Sequence, residues 1–182
     1  MENQIRILLI GEIQRNCDLA LLAHKDILKY LGSIKPGDKE TLDRFWLSIE
    51  SFLISVANIS KILWPSPPIG SELPTEVSSR REVLRGLLSV DDSSPLKQKK
   101  FRNHFEHYDF RIEKYAKDYE NMTIVDSNIG PIDSVVSGAN NVVMRHFDTD
   151  KFVLRFRDEE YSINQVVTVV RDLLDKTKSV QV

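Results

Sequence analysis

The chain has little of what pins small secreted or metal-built domains. Of 182 residues one, Cys17, is cysteine and four are histidine. A lone thiol excludes an internal disulfide, and scattered histidines without close ligand spacing predict no structural metal and no cofactor. No apolar run, such as those at Ile5 to Ile10 or Phe52 to Ile54, approaches the roughly 18 residues of a membrane span. Met1-Glu2-Asn3-Gln4 lacks the basic flank and small-residue cleavage site of a signal peptide, so a cytoplasmic protein without a membrane is expected. The charge is nearly balanced, at -2 net, which excludes coating nucleic acid by bulk electrostatics and leaves only local phosphate contacts.

What is present is enough for one soluble domain over 1-182: 41% hydrophobic and 29% charged residues. Ile5, Leu8, Leu9, Ile13, Leu19, Leu22, Ile27 and Leu31 follow a helical period that stops near Gly32. Asp38 is placed to cap a second, central helix through Phe45, Ile49, Phe52, Val56 and Leu63. It ends at Trp64-Pro65, where a loop rich in proline follows. Ser79 and Glu82 have capping-box spacing for a short helix burying Val83, Leu84, Leu87 and Leu88. Ser94-Pro95 is a strong start signal, because serine caps and proline lacks a donor the first turn could not use.

From there one helix is expected to about Glu120, with Phe101, Phe105, Tyr108, Ile112, Tyr115 and Tyr119 as its core stripe. A strand near Met122 to Val125, a turn at Asn128-Ile129-Gly130-Pro131 and a hairpin of Val142 to Phe147 with Phe152 to Phe156 follow. Ser162 caps a terminal helix over about 162-178. The expected class is mainly α: a bundle of about five helices (core about 3-120) with a small antiparallel β-hairpin or sheet, about 122-157, before the last helix.

The chemistry concentrates in Phe101-Arg102-Asn103-His104-Phe105-Glu106-His107. Asn103 and His107 fall one helical turn apart on one face, and Arg102 can swing over it. Arginine clamps phosphate as a permanent charge and histidine exchanges protons near neutral pH. The plainer account is an Arg102–Glu106 pair of about 0.2–0.5 kcal/mol with both imidazoles on the surface. Lys97, Lys99 and Lys100 crowd the expected helix start, where the macrodipole disfavours cations. A phosphate there would relieve the conflict, as would Asp91 and Asp92 just upstream.

Arginine, four residues and then histidine, with the polar Asn103 directly after the arginine and late in a helical bundle, resembles the HEPN superfamily. Ser51 to Lys61, and Ser94-Pro95-Leu96-Lys97 running into the motif, also resemble a group of uncharacterised bacterial HEPN-like proteins of similar length. The resemblance implies a metal-independent endoribonuclease of a toxin–antitoxin or antiphage system. It also implies RNA as substrate, a homodimer that juxtaposes two motifs, and a protein antitoxin as partner.

On that reading His107 is general acid or base, Arg102 the clamp on developing phosphorane charge, Asn103 an orienter and His104 a helper. Lys97, Lys99 and Lys100 hold phosphate, and Glu50 and Asn58 on the central helix support the cluster from behind. One departure stands out. Where some HEPN toxins carry the tyrosine that a partner enzyme modifies, two residues after the histidine, this chain has Asp109. The alternative is a non-catalytic HEPN-like module that binds nucleotide or RNA, or dimerises.

Overall fold

The computed structural model describes residues 2–67, 70–98, 100–116, 122–136 and 141–180. The protein is mainly helical with a small sheet before its last helix, and it divides into two compact units, residues 1–99 with 167–182, and residues 100–166.

The first unit is built on the helical hairpin of α1 (Glu2–Leu31) and α2 (Lys39–Leu63). Asp38 caps α2 as its chemistry dictates, accepting from the Thr41 amide at 3.0 Å. Phe45, Ile49, Phe52 and Ile59 of α2 and Ile13 and Ile27 of α1 are fully buried. By length and composition alone α2 is apolar enough to cross a bilayer, with most of its apolar window buried. Uninterrupted runs understate it because serines, Asn58 and the single acid Glu50 break the apolar stretch between Phe45 and Ile59.

Helix α3 spans Thr75–Leu87, starting earlier than the Ser79 capping box predicts, behind Pro74 and without a side-chain cap. Only half of its expected apolar set is buried: Leu84 and Leu88 are, while Val83 and Leu87 are exposed. The end of helix α7 (Ile163–Ser179) belongs to this unit, where Lys176 donates to the Ser89 carbonyl at 3.3 Å. Ser162 caps α7 as expected, accepting from the Gln165 amide at 3.3 Å.

The single helix expected from Ser94 to Glu120 is instead three pieces. Ser94 Oγ accepts from the Leu96 amide and closes a 3-10 turn over Pro95–Lys97, and Gln98 is extended at φ -75°, ψ 105°. Helix α4 (Lys100–Glu106) begins after this break, and α5 (Tyr108–Ala116) follows a kink at His107. The helical bonds His107 N to Asn103 O (3.1 Å) and Arg111 N to His107 O (3.0 Å) persist across the kink.

In the second unit β1 (Thr123–Val125) pairs with β3 (Asn141–Val143), and β2 (Asn128–Gly130) with β4 (Arg145–Asp148), both in parallel. Short helix α6 (Asp133–Val136) lies between the two arms. Each paired residue meets the one eighteen positions on in both segments, from Thr123↔Asn141 to Gly130↔Asp148. The two pairs share one register, broken at Asp126 and Ser127, where Ser127 takes φ 53°, and they belong to two sheets, one of β1 and β3 and one in the order β2-β4-β5-β6. Strands β5 (Val153–Phe156) and β6 (Glu159–Ser162) extend β4 in antiparallel fashion.

The four-stranded sheet is thus mixed rather than purely antiparallel, and Asn128 to Gly130 is a strand rather than a turn. Parallel pairing needs a crossover, which local patterning does not reveal. The β4–β5 connection carries turn chemistry as its sequence suggests, Asp148 accepting from the amides of Asp150 (3.0 Å) and Lys151 (3.2 Å).

Candidate functional site on helix α4

Helical periodicity puts Arg102, Asn103 and His107 within little more than one turn of α4. His107 is exposed at the kink, whereas Asn103 is half-buried. Arg102 is not held ready for a ligand: it is ion-paired with Glu106 one turn on, with its side chain 20% exposed. That is the pairing bare i,i+4 spacing favours.

The cations expected to gather on a phosphate have partners as well. Lys97 sits on the 3-10 turn and bridges to Asp92 at 2.9 Å, and Lys100 bridges to Glu159 at 2.7 Å. Because the chain is extended at Gln98, Lys97 stands before the helix rather than on its first turn, so the helix start read at Ser94 as an anion site is corrected. Lys99 lies outside the described residues.

His104, expected on the surface, is buried at 3% exposure. Its ring lies flat on Phe156 of β5, centroids 4.3 Å apart and planes 7° from parallel, and Nε2 sits 3.1 Å from Glu159 Oε2. Burial pushes its pKa below the ordinary imidazole value, against the pull of Glu159. Burial works to raise Glu159, but Lys100 and His104 together hold it below the usual carboxylate range. His104 therefore ties α4 to the β5–β6 hairpin.

This also corrects the core stripe of the segment. Its inward phase runs through His104 and Tyr108, whose ring meets Phe156 edge-on at 6.4 Å, while Ile112 is exposed. Tyr119 and the side chains of Phe101 and Tyr115 lie outside the described residues.

Beside these residues is a cluster the sequence does not announce. Asp126, at the ladder interruption, accepts from the Arg145 amide at 3.1 Å and from its guanidinium Nε at 3.0 Å. One carboxylate thus replaces a missing ladder carbonyl and fixes the adjoining side chain. The Arg145 guanidinium lies 4.0 Å from the centre of the Tyr108 ring. Burial and Asp126 push the Tyr108 phenol up. Burial opposes ionisation of Asp126, yet the hydrogen bonds and charge of Arg145 hold it below the usual range. The signal available in sequence was Asp126-Ser127-Asn128, a run of residues that bond backbone locally.

The expected supporting residues on α2 have simpler work. Asn58 donates to Asn16 Oδ1 at 3.2 Å, and Asn16 donates to the Glu12 carbonyl at 2.8 Å, joining α1 and α2 through a polar pair. Glu50 is half-buried on the same helix. Trp64 is a loop anchor, its indole donating to Asp92 at 2.7 Å. Among the described residues no three histidine, cysteine, aspartate or glutamate side chains gather as a metal site would require. The chain matches no family model, no curated protein and no solved structure.

Proposed function

We propose that this chain is a HEPN-like endoribonuclease that cleaves RNA by internal transesterification. The supporting observation is the exposed imidazole of His107 at the α4–α5 kink, one turn from Asn103 and beside Arg102. In this reaction the ribose 2′-oxygen forms a bond to phosphorus while the bond from phosphorus to the 5′-oxygen breaks. The 2′-hydroxyl proton passes to a base and the 5′-oxygen takes a proton from an acid, so the chemistry needs no metal-activated water.

His107 carries one of these proton transfers, Arg102 stabilises the charge that grows on the phosphorane oxygens, and Asn103 orients the phosphate. A second protomer supplies the other histidine, because His104 is buried on Phe156 and engaged with Glu159. Arg102 must exchange Glu106 for phosphate to act, and an exposed i,i+4 pair is weak enough to permit that.

A second reading has its own support. Arg102, Lys100 and Lys97 all have carboxylate partners, which suits a HEPN-like binding or dimerisation module without catalysis. Incubating unstructured RNA in EDTA with the parent, His107→Ala and Arg102→Ala separates the two. The ribonuclease reading expects cleavage by the parent and loss in both folded variants. Binding without cleavage by the parent selects the module.

A further inference from the structure

A cavity of about 590 Å³ opens in the first unit, far from empty of chemistry. It is lined by Trp64, Ser78, Arg81, Glu82, Arg85 and Lys97 among others. Ser78, Arg81, Glu82 and Arg85 recur at helical spacing and give one stripe of α3, while Trp64 comes from the end of α2 and Lys97 from the 3-10 turn.

Of its three cations among the described residues, two are fastened to protein. Arg85 donates to the Leu63 carbonyl at 2.7 Å and holds its guanidinium 6.0 Å from the centre of the Trp64 ring. Lys97 is held by Asp92, which also takes the Trp64 indole hydrogen.

Arg81 differs. Its Nε and Nη1 are shut away from solvent and meet no hydrogen-bond acceptor among the described residues. The adjacent Arg80 shows what a satisfied guanidinium looks like on the same helix, forking onto Glu2 at 2.8 and 3.1 Å. Burial, with Arg80 adding to it, disfavours the charged form of Arg81. Enclosing guanidinium donors without an acceptor costs stability, so their retention calls for an acceptor that arrives from outside.

We propose that this cavity binds a small phosphorylated molecule, the Arg81 side chain turning so that its now closed-off Nε and Nη1 meet the phosphoryl oxygens, with Arg85 and Lys97 supplying the remaining positive charge. The planar guanidinium matches two oxygens of one phosphoryl group. Three cations against Glu82 and Asp92 leave excess charge that an incoming anion neutralises. The cavity is several times the size of the phosphoryl group, leaving room for the body of the ligand. All the groups named belong to the first unit, so the site stands independently of Arg102 and His107.

Thermal unfolding and calorimetry of the full chain test this with three probes at matched ionic strength: inorganic phosphate, ribose 5-phosphate and acetate. The parent is expected to gain about 3 °C or more with either phosphate probe at saturation and little with acetate. Arg81→Met is expected to unfold at the parent's temperature or above it without ligand, because an unpaired buried charge is gone. Its phosphate affinity falls on the order of tenfold or more. Arg80→Met keeps the phosphate response.

No response of the parent to either phosphate probe overturns the proposal, as does an equal response to acetate. A phosphate response that survives in Arg81→Met overturns it too. So does an Arg81→Met chain destabilised without ligand, which would make Arg81 a structural group.

Discussion

Glu106 holds Arg102 by an ion pair one turn along α4, so the arginine of the motif is engaged before any ligand arrives. Replacing the acid frees it: Glu106→Gln is expected to tighten binding of unstructured RNA by up to about fivefold, the scale of an exposed pair of 0.2–1 kcal/mol. Fluorescence anisotropy with a labelled single strand measures this. Unchanged or weaker binding in a folded variant removes Arg102 from the RNA surface.

Acidification should destabilise the fold well before its carboxylates titrate. Burial depresses the pKa of His24, His104 and His146 below 6.5 in the folded chain. The unfolded chain therefore binds more protons near and below that value. Their contribution is complete above about pH 6.5 and is lost as pH falls toward the folded values. The paired acids Asp126 and Glu159 are also depressed, so they act in the same direction but surrender their share only at lower pH, as it falls through and below the ordinary carboxylate range. The urea midpoint is expected to drop between about pH 7.5 and about pH 5.5. A flat profile contradicts the burial assigned to these imidazoles.

Asp126 accepts both a ladder amide and the guanidinium of Arg145. Asp126→Ala leaves both donors without that acceptor and is expected to cost about 2 kcal/mol, read by chemical denaturation. A loss below about 0.5 kcal/mol, the level of an ordinary surface change, means that the interrupted ladder does not depend on this carboxylate.

The residues that were legible in sequence are those whose partners are local. Asp38 and Ser162 cap the helices they precede because a cap acts within three residues, and the apolar periods of α1, α2 and α7 fix their extent. Ser94-Pro95 carries a true start signal, but it opens a 3-10 turn, since nothing in the pair dictates that Gln98 remain helical. The parallel ladder escapes local patterning because its two arms meet eighteen residues apart.

For the candidate site, spacing sets Asn103 and His107 one helical turn apart, and the His107 N to Asn103 O bond joins them, yet spacing could not say which phase of the helix faces inward. Apolar periodicity favoured Phe105 and Ile112, whereas His104 is the residue buried, because Phe156 and Glu159 await it from strands about fifty residues later. Arg81 is hidden for the same reason: its charge looks like any helix surface until the loop and the 3-10 turn join it around one cavity.

The Asn16–Asn58 pair gives a further check on α2. Asn58→Ala leaves Asn16 Oδ1 without this donor and is expected to cost about 1–2 kcal/mol. Asn58→Ala with Asn16→Ala together should cost less than the sum of the two single changes, as contacting residues do, and strict additivity in a double-mutant cycle contradicts the pairing.

The ends of the RNA fragments made in EDTA decide whether this chain cleaves by internal transesterification. Mass spectrometry of products from the parent chain is expected to find 2′,3′-cyclic phosphate on one fragment and 5′-hydroxyl on the other, with a single 2′-deoxy substitution blocking cleavage at its own site. Intact RNA at high protein concentration, or fragments carrying 5′-phosphate, contradicts internal transesterification by this chain.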